Sequence, residues 1–191
     1  GFKVPWSFYR TFDKNDDRLS VLVGEYMGND GVLFNEESDI IKHGNTYSGA
    51  VPVKYGEDPE STGDGSQIDW IVYRYADVLT LLSEAIVRQG NSVTQEAVDL
   101  LNQIRVRAKL SPYTMGDIKG VDDFLDKMLQ ERGHEFWWEG NRRADLIRHG
   151  KFIQNAIDRG STTTKPEFVL FPLPQAVINE GKGIIIQTPG Y

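Results

Sequence analysis

The sequence predicts a mainly α fold in which helix pairs form a partial α-solenoid beside a loop-rich region containing a short β-hairpin. Three observations carry this expectation. From Tyr73 onward, apolar residues recur at steps of three and four, the spacing of one helix face. Before residue 72, aromatic residues are spread among Gly, Asp and Asn. The 191 residues are 39% hydrophobic and 26% charged, which suits a globular core and not a disordered tail. The expected division is therefore 1–72, a loop-rich candidate ligand face, and 73–191, a helical region.

The elements follow in order. Leu19 to Met27 reads as a strand, Gly28-Asn29-Asp30-Gly31 as a turn because Asn and Gly tolerate positive φ, and Val32-Leu33-Phe34 as the return strand. Val51-Pro52-Val53-Lys54-Tyr55 is a further extended segment whose proline suggests an edge. Gly56 to Gln67 is polar and glycine-rich, the composition of a loop. A first helix is predicted over 73–89 with Tyr75, Val78, Leu79, Leu82 and Ile86 on its inward face, stopped by Gly90. A second runs over 94–108 with Ala97, Leu100, Leu101, Ile104 and Ala108 inward, and the short link makes an antiparallel pair. A third spans 121–139, with Leu125, Met128, Leu129 and Phe136 inward, Gly133 weakening its middle and Gly140 ending it. A fourth covers 141–157 with a break at Gly150, and Pro174 opens a short helix through Asn179. Two helix pairs suggest a tetratricopeptide-like architecture. Each pair exposes an apolar face that only a neighbouring pair covers, so more of the solenoid is expected upstream.

Composition removes several classes of function. There is no cysteine, which rules out disulfides, thiolate metal sites and cysteine nucleophiles. The net charge of −7 argues against a nucleic-acid-binding surface. No run of about 18 apolar residues is present to cross a bilayer as a helix. The opening Gly-Phe-Lys-Val-Pro-Trp lacks the charged-then-apolar stretch of an export signal, as expected either of a protein that stays inside or of a processed or truncated piece of a longer one.

Five motifs in order point to a family. They are Arg74-Tyr75-Ala76-Asp77-Val78-Leu79 with Glu84-Ala85; Leu101-Asn102-Gln103-Ile104-Arg105-Val106-Arg107-Ala108; Glu131-Arg132 with Glu135-Phe136; Glu139-Gly140-Asn141-Arg142-Arg143-Ala144-Asp145-Leu146-Ile147-Arg148; and Leu170-Phe171-Pro172-Leu173-Pro174 with Gln187-Thr188-Pro189-Gly190-Tyr191. Together they resemble the SusD/RagB family of outer-membrane nutrient-binding lipoproteins, with Asp17-Arg18-Leu19 and Val53-Lys54-Tyr55 as weaker matches. The sequence departs from the family pattern at His149, where Trp is usual, and at Thr188, where Asn is usual. The resemblance implies a surface-exposed lipoprotein of the cell outer membrane that captures an oligosaccharide, or in some members a peptide. It would pass this cargo to a SusC-like TonB-dependent transporter, with no enzymatic step and no cofactor. It also implies that the lipid-anchor cysteine and most repeat helices belong to an amino-terminal half outside this chain.

Several patterns in the residues could carry other chemistry. Asp13-Lys14-Asn15-Asp16-Asp17 has the one-three-five oxygen spacing of a calcium loop, but Arg18 takes the glycine position and Gly24 the glutamate position. A polar turn explains it better. Glu131-x-x-His134 is a carboxylate–histidine pair without the second pair that a di-iron bundle needs, and Trp138 replaces the second histidine of a zinc-protease pattern. Gly63-Asp64-Gly65 lacks the third glycine and the preceding strand of a dinucleotide fingerprint. No serine nucleophile elbow is present. No metal site and no catalytic residue are therefore assigned. Arg105, Arg107, Glu131, Arg132, Glu135, Arg142, Arg143 and Asp145 sit beside apolar stripes. They could furnish an acid and a base, but interhelix ion pairs that fix crossing geometry explain them better.

The binding expectation rests on aromatics before residue 72. Sugar C–H faces pack on aromatic rings while hydroxyls need placed polar groups. Trp6, Tyr9, Tyr26, Tyr47 and Trp70 are the candidate ligand-binding residues, with Asn29, Asp30, Asn45 and Asp64 nearby in sequence. Trp137 and Trp138 read as core or interface. Two alternatives stand beside glycan capture: a glycan hydrolase on a helical scaffold, and a transporter-docking module with no ligand site.

Overall fold

The computed structural model describes residues 3–38, 48–62 and 65–191. The chain divides into two compact units, Gly1–Arg142 and Arg143–Tyr191.

The first unit opens with a single helical turn, α1 (Trp6–Tyr9). The expected strand from Leu19 is broken. Asp16 caps a 3-10 helix over Asp17–Val21 by accepting from the Arg18 amide at 3.0 Å, and extended backbone begins only at β1 (Leu22–Val23). An Asp side chain bonding locally to the backbone competes with strand formation. The hairpin itself forms, with β2 (Tyr26–Met27) antiparallel to β3 (Leu33–Phe34) in the register Tyr26↔Phe34. Its turn is closed by Gly28 N–H to Val32 O at 2.8 Å, with Gly31 at φ 75°. The proline segment becomes β4 (Val51–Pro52), which pairs with β1 in the register Leu22↔Pro52. These pieces are too short to hold each other. Their stability comes from a shared core of Val4, Trp6, Phe12, Leu22, Phe34 and Ala50 packed on Trp137.

Helix α2 (Tyr75–Gly90) ends with Asn91 in the left-handed region at φ 45°. Helix α3 (Gln95–Arg107) is capped by Thr94, whose side chain accepts from Ala97 N–H at 3.2 Å. Its expected stripe is observed: Ala97, Leu101, Ile104 and Ala108 are buried and Leu100 is half-buried. Helix α4 (Val121–Phe136) crosses the pair and buries Phe124, Met128, Leu129 and Phe136. Val87, Ala97, Val98, Leu101, Phe124 and Met128 form the three-helix core.

Helix α2 corrects the expectation. Tyr75, Val78 and Leu82 are exposed, while Asp77, Thr80, Ser83 and Glu84 are buried beside Ala76, Leu79 and Val87. At 3.6 residues per turn the buried arc is rotated by roughly a third of a turn from the apolar one. The polar residues win because each finds a partner. Asp77 pairs with Arg132 at 2.7 Å, Thr80 accepts from Arg132 at 2.5 Å, and Ser83 donates to Ala97 O at 2.6 Å.

Gly133 is a second correction. A β-carbon there would lie 2.9 Å from Arg142 Nη1, which donates to Leu129 O at 2.7 Å. The glycine admits a guanidinium against the helix backbone. The helix stops at Phe136, four residues before the expected Gly140, and Trp138 adopts φ 68°.

In the second unit the expected fourth helix is two, α5 (Arg142–Arg148) and α6 (Phe152–Asp158), separated at Gly150 with φ 67°. Pro174 does precede a short helix, α7 (Gln175–Glu180). Arg143 lies 4.0 Å over the Phe171 ring and donates to the carbonyls of Phe168 and Val169 at 3.1 Å each.

Candidate functional site

Two places in the first unit gather functional groups: a buried ionic cluster and an exposed aromatic stack.

The cluster centres on Glu131, Glu135 and Glu139: the first two lie four apart on one side of α4, and Glu139 follows in the turn beyond the helix end. Glu131 pairs with Arg18 at 2.7 Å and Arg105 at 2.9 Å. Glu135 pairs with Arg107 at 2.5 Å, Arg74 at 2.7 Å and Arg18 at 3.3 Å. Glu139 pairs with Arg74 at 2.9 Å and with Lys54. Lys54 also donates to the carbonyls of Glu135 at 2.8 Å and Trp137 at 3.1 Å, placing a cation on the open carbonyls at the end of α4. A cleft of about 310 Å³ lies over this network, bordered by Lys54, Arg74, Arg107 and Trp137.

The electrostatics suit a scaffold. Burial pushes the Glu135 carboxyl upward, but the hydrogen bond from Arg74 and the charges of Arg107, Arg74 and Arg18 outweigh it and hold it below the ordinary range. Burial opposes the Arg18 charge as well, and hydrogen bonding and attraction from Asp16 and Glu131 reverse that effect. Lys54 goes the other way, lowered by burial despite Glu139. A general acid at neutral pH needs a raised carboxyl pKa, and Glu135 has the opposite. His134 is pushed down to about 3, first by burial and then by the Arg18 charge. Its Nε2 lies 2.8 Å from Thr11 Oγ1 and its ring stacks on Phe12 at 4.0 Å.

Sequence reasoning found Arg105, Arg107, Glu131 and Glu135 as ion-pair members but missed Arg18, Lys54 and Arg74 as their partners. The available signal was weak: those three sat only inside family motifs. The sequence of the calcium-like loop now has its explanation. Asp16 accepts from Arg18 Nε at 2.8 Å and Nη2 at 2.6 Å, so a guanidinium satisfies the carboxylate.

The five candidate ligand aromatics fall in different settings. Trp6 is 1% exposed and its indole N–H donates to Ser48 Oγ at 3.2 Å, so it offers no ring face. Tyr9 is half-buried edge-to-face on Trp6 at 5.6 Å, with burial and Glu36 raising its pKa. Tyr26 stacks on Phe34 at 5.4 Å, holds Lys3 over its ring at 4.3 Å and donates to Gly49 O at 2.9 Å. Tyr47, with Asn45 and Asp64, lies outside the described residues. Trp70 differs from these. It is 58% exposed and stacked on Tyr55 at 5.2 Å with planes 11° apart. Its loop is tied by Asp58, which accepts from Gln67 N–H at 2.7 Å and Ser66 Oγ at 3.2 Å. Tyr55 was not anticipated as its partner. The two are fifteen residues apart, and only the loop closure brings them together.

Comparison with known proteins gives the chain its family. The SusD family model matches residues 4–191. The chain belongs to the SusD family. The starch-binding protein SusD of Bacteroides thetaiotaomicron is 27% identical over 165 residues, covering 83% of this chain and 27% of that protein. A SusD superfamily protein of Parabacteroides distasonis superposes with a TM-score of 0.70 at 23% identity, over 96% of this chain and 41% of the other. The surface glycan-binding protein A of Bacteroides thetaiotaomicron, solved in complex with laminarihexaose, gives 0.64 at 22% identity over 94% of this chain and 39% of the other. The chain thus spans about a quarter of the curated relative's length and two fifths of the solved structures. The mainly helical fold with small hairpins is the fold that this SusD family chain shares with its solved relatives.

Proposed function

We propose that this SusD family chain is part of a non-enzymatic, surface-exposed outer-membrane lipoprotein. It captures oligosaccharide and delivers it to a SusC-like TonB-dependent transporter, with the ligand face in residues 1–72. One observation carries the location: the exposed Trp70 ring, held flat by Tyr55 beside the Asp58 loop. A rigid apolar platform flanked by polar groups is the arrangement that pyranose rings require. The starch-binding name of one relative and the laminarihexaose in another support glycan as the cargo. The non-enzymatic reading is supported by Glu131, Glu135 and Glu139, each fixed by at least two cations and so withheld from proton transfer.

Titration calorimetry with laminarihexaose, maltohexaose and a peptide panel tests this reading. A saturable heat with one hexasaccharide is expected, and Trp70→Ala should weaken it at least about tenfold, the equivalent of one lost stacking contact near 1.4 kcal/mol. Unchanged affinity in Trp70→Ala removes that residue from the site. New reducing ends on incubation would establish hydrolysis and overturn the non-enzymatic reading.

A further inference from the structure

The cleft over the ionic cluster is lined by neither Trp70 nor Tyr55, and its charges do not balance. Arg18, Lys54, Arg74, Arg105 and Arg107 are linked through Asp16, Glu131, Glu135 and Glu139. Among the described residues this network therefore holds one more cation than carboxylates, in a chain of net charge −7. Lys54 counts as a cation because its three acceptors, the Glu135 and Trp137 carbonyls and a Glu139 oxygen, use all three N–H groups of an ammonium. Asp17, at the edge of the cleft, is matched by Lys109 at 2.6 Å and leaves the balance unchanged.

The surplus sits at Arg107. Its side chain is 56% exposed, against 26% or less for the other four cations. Its one side-chain partner among the described residues is Glu135, reached through Nη2 at 2.5 Å. A guanidinium presents five N–H donors in a planar fork, so an edge of Arg107 remains for a second carboxylate. Arg74, by contrast, spends its donors on Glu135 and Glu139. Arg107 ends α3, where open carbonyls oppose an anion, but the Ala108 carbonyl already accepts from Asp17 N–H at 3.0 Å. Val21, Ile71 and Trp137 add apolar walls. The volume of about 310 Å³ is at the lower end of small-molecule sites, which run from roughly 300 to 1,000 Å³.

We propose that this cleft is a subsite for a carboxylate-bearing sugar, a uronic acid unit whose carboxylate pairs with the open edge of Arg107 while its ring lies against the apolar walls. The choice of a sugar rests on the glycan-capture reading; the choice of an anion rests on the cleft alone. A peptide carboxyl terminus offers the same group without the hydroxylated ring, and the test separates the two.

That test is a chemical-shift titration of the protein with D-glucuronate, D-glucose and triglycine. Glucuronate should saturate, with shifts at the Arg107 side chain and the Trp137 indole, and glucose and triglycine should each bind at least about tenfold more weakly. Added salt should weaken the glucuronate complex, because Arg107 is half in solvent. Arg107→Gln should cost at least about tenfold in glucuronate affinity. Glu135 keeps Arg18 and Arg74 in that variant, and the glucuronate–glucose comparison on the unsubstituted protein decides the matter even if the variant fails to fold. Trp70→Ala should alter glucuronate affinity by less than about twofold, as for independent sites. Loss of hexasaccharide binding with glucuronate binding intact would thus strike the Trp70 reading alone and leave the carboxylate as the recognised group. No saturation by glucuronate, equal binding of glucose, triglycine binding as tightly, or unchanged affinity in Arg107→Gln would each overturn the proposal.

Discussion

Gly133 shows how one side chain's absence organises a helix junction. Glycine inside a helix costs about 1 kcal/mol relative to alanine when nothing else intervenes. Here a methyl group would meet Arg142 Nη1 at 2.9 Å and Cζ at 3.1 Å. Displacing that guanidinium would leave the Leu129 carbonyl without its 2.7 Å donor. Gly133→Ala should therefore destabilise the protein by about 1–3 kcal/mol despite its better propensity. Urea denaturation of Gly133→Ala, Arg142→Ala and the double variant measures this. The double variant should cost less than the sum of the singles, because the methyl group no longer opposes the guanidinium. Strict additivity would separate the two residues and remove this account.

At the scale of elements, what the sequence revealed was what is local. The α3 stripe and the β2–β3 turn are set by residues within a few positions of one another, and both form as expected. Thr94 belongs with them: its hydroxyl satisfies an otherwise open amide at the start of α3. Thr94→Ala should cost about 1 kcal/mol in thermal or urea unfolding, while Thr94→Ser restores most of it; no loss in Thr94→Ala would show that α3 is held by packing alone. The roll of α2 was illegible because it is decided by Arg132, 55 residues from Asp77 along the chain. The ionic cluster was half legible for the same reason. Spacing of four puts Glu131 and Glu135 on one face of α4, but Arg18 arrives from a short 3-10 helix and Lys54 and Arg74 from loop positions that no periodicity describes. Among the candidate aromatics, loop context marked them all alike. Short strands with little core of their own draw Trp6 inward, whereas the tied Asp58 loop leaves Trp70 outward.

At the scale of the whole molecule, the loop-rich part and the helices of the first unit are joined by buried charge, and that makes stability depend on pH in a definite direction. His134 sits among Arg18, Asp16, Arg142 and Arg105 and, buried, does not take its proton until about pH 3. An unfolded histidine takes it near 6.5. Between those values the unfolded state binds one more proton than the folded state, so stability is full above about pH 6.5 and falls as pH drops. The slope for one such group approaches about 1.4 kcal/mol per pH unit. Glu135, lowered by its arginines, adds a loss of the same sign only below the ordinary carboxylate range. The interval from pH 6.5 to 5.5 thus reports mainly on His134. His134→Gln can keep the contact with Thr11 while removing the titration. Urea midpoints should be nearly level between pH 7.5 and 6.5 and fall between 6.5 and 5.5 in the unsubstituted protein, and stay nearly level throughout in His134→Gln. Parallel slopes would mean that His134 titrates alike in both states, and that the acid sensitivity of this joint resides in other groups.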